Sequence, residues 1–174
     1  MEHALKSGSN TLRVEAATGR ISRLSAGDQT LVPLAHGRGP LRLHVPLADF
    51  ESHMLEGHLT APAIEASADT LRLSYSRLRG SRGPLDLDAE VTIRAVGDGS
   101  FELECSIRNG TGITIPQVFF PWISGFGQLD GADDQVTFGH SVFKPWQAWR
   151  RPPAHLFMQH RAHPVFEMLC GDGY

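Results

Sequence analysis

The stretch LDLDAEVTIRAVGDGSFELECSIR, from Leu85 to Arg108, predicts a long β-hairpin and decides the fold class. Apolar residues occupy every second position on both sides of a Gly-Asp-Gly-Ser turn at 97–100, which is the pattern of half-buried antiparallel strands. Glu102 and Glu104 fall on the opposite face, so we expect both to be exposed as surface charge. The residues expected to be buried are Leu87, Val91, Ile93, Phe101, Leu103 and Ile107.

The same alternation of apolar and polar residues occurs on the N-terminal side of this hairpin. Short alternating runs at 11–15, 41–45 and 71–75 are broken by turn residues, and no long amphipathic helix is evident. A further strand is expected from Ile113 to Phe119, with Pro116 favouring an edge or a bulge, and another from Gln135 to Phe138. The sequence therefore predicts an all-β protein, an antiparallel two-sheet sandwich.

Three regions follow from this reading. Residues 1–10 are expected to be a disordered N-terminus, residues 11–140 the β-sandwich domain, and residues 141–174 an aromatic and proline-rich extension that is an unfinished part of the same domain. Eleven of the fourteen aromatic residues lie between 119 and 174, where strand alternation nearly vanishes. Because such a segment needs apolar partners, we expect an incomplete sandwich with an unpaired edge and an exposed apolar patch.

Composition excludes several classes of function. Sixteen Lys and Arg against nineteen Asp and Glu give a net charge of −3, so there is no overall positive field to attract nucleic acid or anionic lipid. No run approaches the roughly 18 apolar residues of a membrane span, and the N-terminus lacks the apolar core of a signal peptide. We therefore expect a cytoplasmic protein without membrane association.

The chain resembles the galactose-mutarotase-like β-sandwich found in aldose epimerases and at the front of many glycoside hydrolases. Three segments carry the resemblance: TLRVEAATGRISRL from Thr11, EVTIRAVGDGSFELECSIRN from Glu90, and QVFFPWISGFGQL from Gln117. It implies an incomplete supersandwich and a non-catalytic carbohydrate-associated domain of a glycoside hydrolase-like protein. The implied partners are a carbohydrate or a downstream catalytic domain, and the oligomeric state stays open.

Aromatic residues near the C-terminus are the candidates for sugar binding. Trp146 and Trp149 could stack on a pyranose while polar groups bind its hydroxyls, although core packing would explain both as well. Trp122, inside an apolar strand end, is expected in the core. The polar candidates are Lys144, His140 and the acidic pair Asp133 and Asp134, for which a solvated acidic loop is the competing interpretation.

Histidines and cysteines give no catalytic or metal motif. The HRAH run at His160–His163 has ligand spacing only in a helix, which Pro164 disfavours, and the separated Cys105 and Cys170 form no CxxC pair. We expect neither a metal nor a cofactor. Four more histidines share no ligand spacing and are expected to be solvated or in loops: His36, His44, His53 and His58.

Two other functions stay open at this point. A small sugar-acting enzyme such as an aldose 1-epimerase would need a histidine acid and a carboxylate base converging on one pocket. A β-rich interaction protein without sugar binding would need neither. Whether any activity resides in the chain is therefore undecided by the sequence, which favours the non-catalytic role.

Overall fold

A computed structural model describes residues 1–32, 38–46, 52–123, 135–138 and 141–145. The described part is all-β, with one short 3-10 turn at Gly57–Leu59. In chain order the strands are β1 (Glu2–Ser7), β2 (Asn10–Glu15), β3 (Ile21–Ala26), β4 (Gln29–Val32), β5 (Arg42–Pro46), β6 (Ser52–Glu56), β7 (Ala63–Ala66), β8 (Thr70–Tyr75), β9 (Arg79–Gly80), β10 (Gly83–Pro84), β11 (Leu87–Ala95), β12 (Phe101–Asn109), β13 (Gln117–Phe119), β14 (Gln135–Phe138) and β15 (Ser141–Pro145).

All strand pairs among the described residues are antiparallel, which confirms the predicted fold class. The first sheet has the order β1-β2-β3-β4, the second β10-β9-β6-β5-β13, and the third β12-β11-β8-β7. β14 pairs with β15 as a separate hairpin, so the domain boundary expected at residue 140 falls between two paired strands. These sheets are consistent with a β-sandwich, and the described strands do not close into a barrel.

One apolar cluster joins the three sheets. Leu12 from the first sheet, Leu43 from the second, and Leu73 and Val91 from the third are all almost completely buried within it. Each of these residues follows the period-two alternation of its strand, so these four strands turn one face toward the cluster and the other away from it. β1 also contacts β8 and β11, which places the first sheet against the third.

The long hairpin has the predicted register. β11 and β12 pair from Leu87 opposite Asn109 to Ala95 opposite Phe101. Glu102 and Glu104 are exposed, as expected. Burial differs between the two strands, because β11 lies between two neighbours whereas β12 ends the sheet among the described strands. Leu87, Val91 and Ile93 are buried, and the half-buried residues are Phe101, Leu103, Cys105 and Ile107.

Residues 1–10 are ordered, contrary to the expectation of a disordered N-terminus. Glu2–Ser7 forms β1, which pairs along its whole length with β2. Leu5 is buried in the core, and the Glu2 carboxylate accepts a 2.6 Å hydrogen bond from the Ser22 hydroxyl. The backbone ladder and these two contacts fix a segment whose composition alone carries little apolar character.

The strand expected from Ile113 is shorter than predicted and begins at Gln117. The Asn109 side chain holds the preceding residues in a loop, since its amide donates to the Ile113 carbonyl at 2.7 Å and its oxygen accepts from the Thr111 N–H at 3.0 Å. Pro116 has no N–H to contribute to a ladder. β13 then pairs with β5 at one end of the second sheet, in agreement with an edge strand.

Among the described residues, no helix is long and apolar enough to cross a membrane.

Candidate functional site

The side chains of all six sugar-binding candidates predicted from the sequence lie outside the described part of the chain. The backbone of Lys144 belongs to β15, and its side chain is outside the described part of the chain. The remaining five candidates lie outside the described residues: Asp133, Asp134, His140, Trp146 and Trp149. The sugar surface proposed there therefore stays a prediction.

A polar cluster around Glu56 lies where β5 and β6 pair. Arg42 and Glu56 are register partners, and the Arg42 Nε lies 3.6 Å from the Glu56 carboxylate. The carboxylate also lies 3.5 Å from the Arg38 guanidinium and 3.3 Å from the His58 Nε2. Only 11% of the Glu56 side chain is exposed, so its charge depends on these neighbours. Arg38, Arg42, Glu56 and His58 form what is called here the Glu56 cluster.

Two aromatic rings complete the surroundings of Arg42. Its guanidinium carbon lies 4.6 Å from the centre of the Trp122 ring and 6.0 Å from that of Phe119, within the range of a cation-π contact. The two rings meet edge to face with centroids 6.2 Å apart. The backbone N–H of Trp122 donates to the Pro40 carbonyl at 2.7 Å. Trp122 is buried, which confirms its expected core position and occupies its indole with protein contacts.

The Glu56 cluster does not have the geometry of a sugar epimerase. Epimerase chemistry needs an acid and a base on either side of a ring, whereas Glu56 and His58 are 3.3 Å apart and contact one another directly. No sugar ring fits between groups at hydrogen-bond distance. With two guanidinium groups on the same carboxylate, the cluster is a structural ion-pair network.

The expected solvated histidines divide into different environments. His53 is buried, and its Nε2 accepts a 3.2 Å hydrogen bond from the Arg82 backbone N–H, so the expectation of a solvated or loop histidine is wrong for it. His58 lies in the 3-10 turn against Glu56, and His44 occupies a half-buried position of β5. His36 lies outside the described residues. Among those described, no group of three histidine, cysteine or acidic side chains could hold a metal.

A shallow, open depression of about 410 Å³ lies beside the 3-10 turn. Its apolar lining comes from Leu59, Ala61 and Pro84, and Leu59 is nearly half exposed. The volume falls within the range of small-ligand sites, and the open shape suits a ligand that extends over the surface.

Polar groups line the rest of this depression. They are the hydroxyls of Thr60 and Ser76 and the side chains of Arg77 and Arg79. The Thr60 hydroxyl accepts the backbone N–H of Arg79 at 3.0 Å, which ties the 3-10 turn to β9. None of the described lining residues carries a carboxylate, an imidazole or a thiol. This surface is called the Arg77 depression below.

No protein-family model matches the chain, and no curated protein matches it in sequence.

The Arg77 depression is not among the sites predicted from the sequence. Its residues come from two segments, 59–61 and 76–84, that are separated in the chain and contain no catalytic motif. The available signal is the run SRLRG at 76–80, in which Arg77 and Arg79 flank the fully buried Leu78. An alternation of basic and apolar residues beside a glycine indicates a strand with one charged face. It does not indicate that residues 59–61 lie against this face and form a depression with it.

Proposed function

We propose that the chain is a non-catalytic, carbohydrate-associated β-sandwich domain of a glycoside hydrolase-like protein. The observation that supports it best is the lining of the Arg77 depression, which combines apolar surface with hydroxyl and guanidinium donors. Sugars are bound by this combination, because a pyranose offers C–H groups on its faces and hydroxyls at its edge.

The same lining favours binding over catalysis. A glycosidase needs two carboxyl groups and an epimerase needs an acid and a base, and the described lining residues supply neither. The Ser76 hydroxyl hydrogen-bonds the Asp88 carboxylate, whose pKa is lowered by its hydrogen bonds, so this carboxylate is a weak base for the serine. In the Glu56 cluster, the carboxylate is already paired with two guanidinium groups and an imidazole.

The wider proposal includes the features that the sequence predicted. The antiparallel sheets are consistent with the sandwich that the resemblance implies, and a sugar surface at Trp146 and Trp149 belongs to the same proposal. The domain would act beside a carbohydrate or a downstream catalytic domain, in the cytoplasm and without nucleic acid.

Glycan-array screening followed by calorimetric titration tests the proposal. We expect the protein to bind at least one class of oligosaccharide. In Ala61→Met the affinity for that oligosaccharide should fall at least about tenfold, because the larger side chain would fill the depression. Ala66→Met is the matched control, since Ala66 is also exposed, lies on β7 and does not line the depression.

Two results would contradict the carbohydrate-binding, non-catalytic role, and a third would contradict only its assignment to the Arg77 depression. Absence of binding to every glycan would remove the carbohydrate role. Binding unchanged in Ala61→Met but lost in the Trp146→Ala, Trp149→Ala double variant would move the site to the C-terminal tryptophans. Accelerated mutarotation of glucose or galactose, followed by polarimetry, would show a catalytic role instead.

A further inference from the structure

Two arginines of the Arg77 depression carry charge that the described part of the chain leaves uncompensated. Arg77 and Arg79 are both exposed and both line the depression, and neither guanidinium forms an ion pair with any described carboxylate. This contrasts with Arg42, Arg72, Arg94 and Arg108, each of which has an acidic partner within 4 Å. In a chain of net charge −3, two exposed guanidinium groups that form no ion pair with a described carboxylate make a local positive site.

The backbone of Arg77 is fixed by its neighbours. It has φ of 54°, a left-handed conformation that costs free energy for a residue other than glycine. Its N–H donates to the Asp88 carboxylate at 2.9 Å, and the same carboxylate accepts from the Arg108 guanidinium at 2.7 Å. Asp88 is therefore committed to the backbone of Arg77 and to the side chains of Arg108 and Ser76.

The segment between the two arginines is equally well held. Leu78 is fully buried, its N–H donates to the Leu87 carbonyl at 2.7 Å, and its carbonyl accepts from the Leu85 N–H at 3.0 Å. Arg79 is held through its own N–H by the Thr60 hydroxyl. The Thr60 hydroxyl acts as an acceptor there and donates no hydrogen bond to another described residue.

We propose that the Arg77 depression binds an acidic saccharide, with the carboxylate of a uronic acid residue between Arg77 and Arg79. Guanidinium groups bind carboxylates through paired, charge-assisted hydrogen bonds, which are stronger than neutral ones. The Thr60 hydroxyl would bind a ring hydroxyl, and the apolar side of the depression would pack against C–H groups. This inference rests on the proposed carbohydrate role and specifies its ligand class.

Calorimetric titration with trigalacturonate and with neutral galactotriose measures the charge preference directly. We expect trigalacturonate to bind at least about tenfold more tightly, and its affinity to fall between 50 and 300 mM NaCl because exposed charges are screened. The double variant Arg77→Asn, Arg79→Gln should reduce trigalacturonate affinity about tenfold or more while leaving galactotriose affinity within about twofold. Asn is chosen at 77 because it tolerates the left-handed backbone better than most residues.

Arg23→Gln is the control, since Arg23 is exposed on β3 and does not line the depression. Circular dichroism melting checks that each variant is folded, and Arg79→Glu gives a second test should the double variant unfold. Equal affinity for both trisaccharides would overturn the acidic preference and leave the carbohydrate role intact. Absence of binding to both would overturn the inference, and the glycan array then decides the wider proposal separately. Equal binding of a glutamate tripeptide would show that charge alone, without the sugar, is recognised, and would also overturn it.

Discussion

The Glu56 carboxylate lies within 3.6 Å of two guanidinium groups and one imidazole, with only 11% of its side chain exposed. Replacing it with glutamine keeps its size and removes its charge, leaving the Arg42 guanidinium beside Trp122 without a counter-ion. We expect Glu56→Gln to lower the free energy of unfolding by about 1–3 kcal/mol, as for a partly buried charged group that loses its partner. Urea denaturation followed by tryptophan fluorescence measures this.

Glu102→Gln is the control for burial. Glu102 pairs with Arg94 at 3.4 Å, a distance comparable to those around Glu56, but both side chains are about half or more exposed. Surface pairs of this kind contribute little because water screens them. A loss for Glu102→Gln as large as that for Glu56→Gln would show that burial is not the source of the effect.

Gly19 lies in the left-handed region with φ of 71°, and a Cβ there would overlap the Tyr75 hydroxyl. Gly27 has a similar φ of 57° with nothing within 4 Å of its Cβ position. Both Gly→Ala variants should lose about 1 kcal/mol from backbone strain, and Gly19→Ala should lose a further ~1–3 kcal/mol from overpacking. Equal melting temperatures for the two variants would contradict this packing argument.

At the scale of elements, one serine connects the first sheet to the turn of the long hairpin. The buried Ser7 hydroxyl accepts the N–H groups of Gly97 and Gly99, each at 3.0 Å. Ser7→Ala should therefore lower the free energy of unfolding by about 1–3 kcal/mol and accelerate hydrogen exchange at both glycine amides. Ser106→Ala, on the exposed face of β12, is the control and should change neither.

The same serine shows how far the sequence could predict the elements. The alternation of apolar and polar residues predicted β11 and β12, because the inward-facing positions of each strand are apolar in its own sequence. It could not locate β1, because Ser7 is polar and is buried through bonds to residues 90 and 92 positions away. The Arg77 depression was missed for a related reason, since the Thr60 bond to Arg79 joins two segments that share no local pattern.

At the scale of the molecule, the described acidic groups with lowered pKa values predict an acid-sensitive fold. Hydrogen bonds from the Arg77 N–H and the Arg108 side chain lower the pKa of Asp88, and those from Ser100 lower that of Asp98. The Ser22 hydroxyl lowers the pKa of Glu2. Each group therefore stabilises the fold fully above its ordinary value, 3.8 for Asp and 4.5 for Glu, and loses this contribution as the pH falls through its lower folded-state value.

Urea denaturation at pH 7, 5 and 3 measures this dependence. The free energy of unfolding should change little between pH 7 and 5 and fall below about pH 4, and Asp88→Asn should make that fall smaller. A steep loss between pH 7 and 6 would instead assign the pH response to histidines.

Because the thiol of Cys105 is half-buried on β12, its rate of alkylation can report how often β12 separates from β11. Burial raises the pKa of Cys105 to about 11, so at neutral pH little thiolate is available to react in the closed state. In a Cys170→Ser background, alkylation by iodoacetamide should therefore be slow while β12 is paired with β11 and faster when it detaches. Its rate, compared with that in 8 M urea, sets an upper limit on the fraction of time that this edge strand spends open, without a label or a spectroscopic probe.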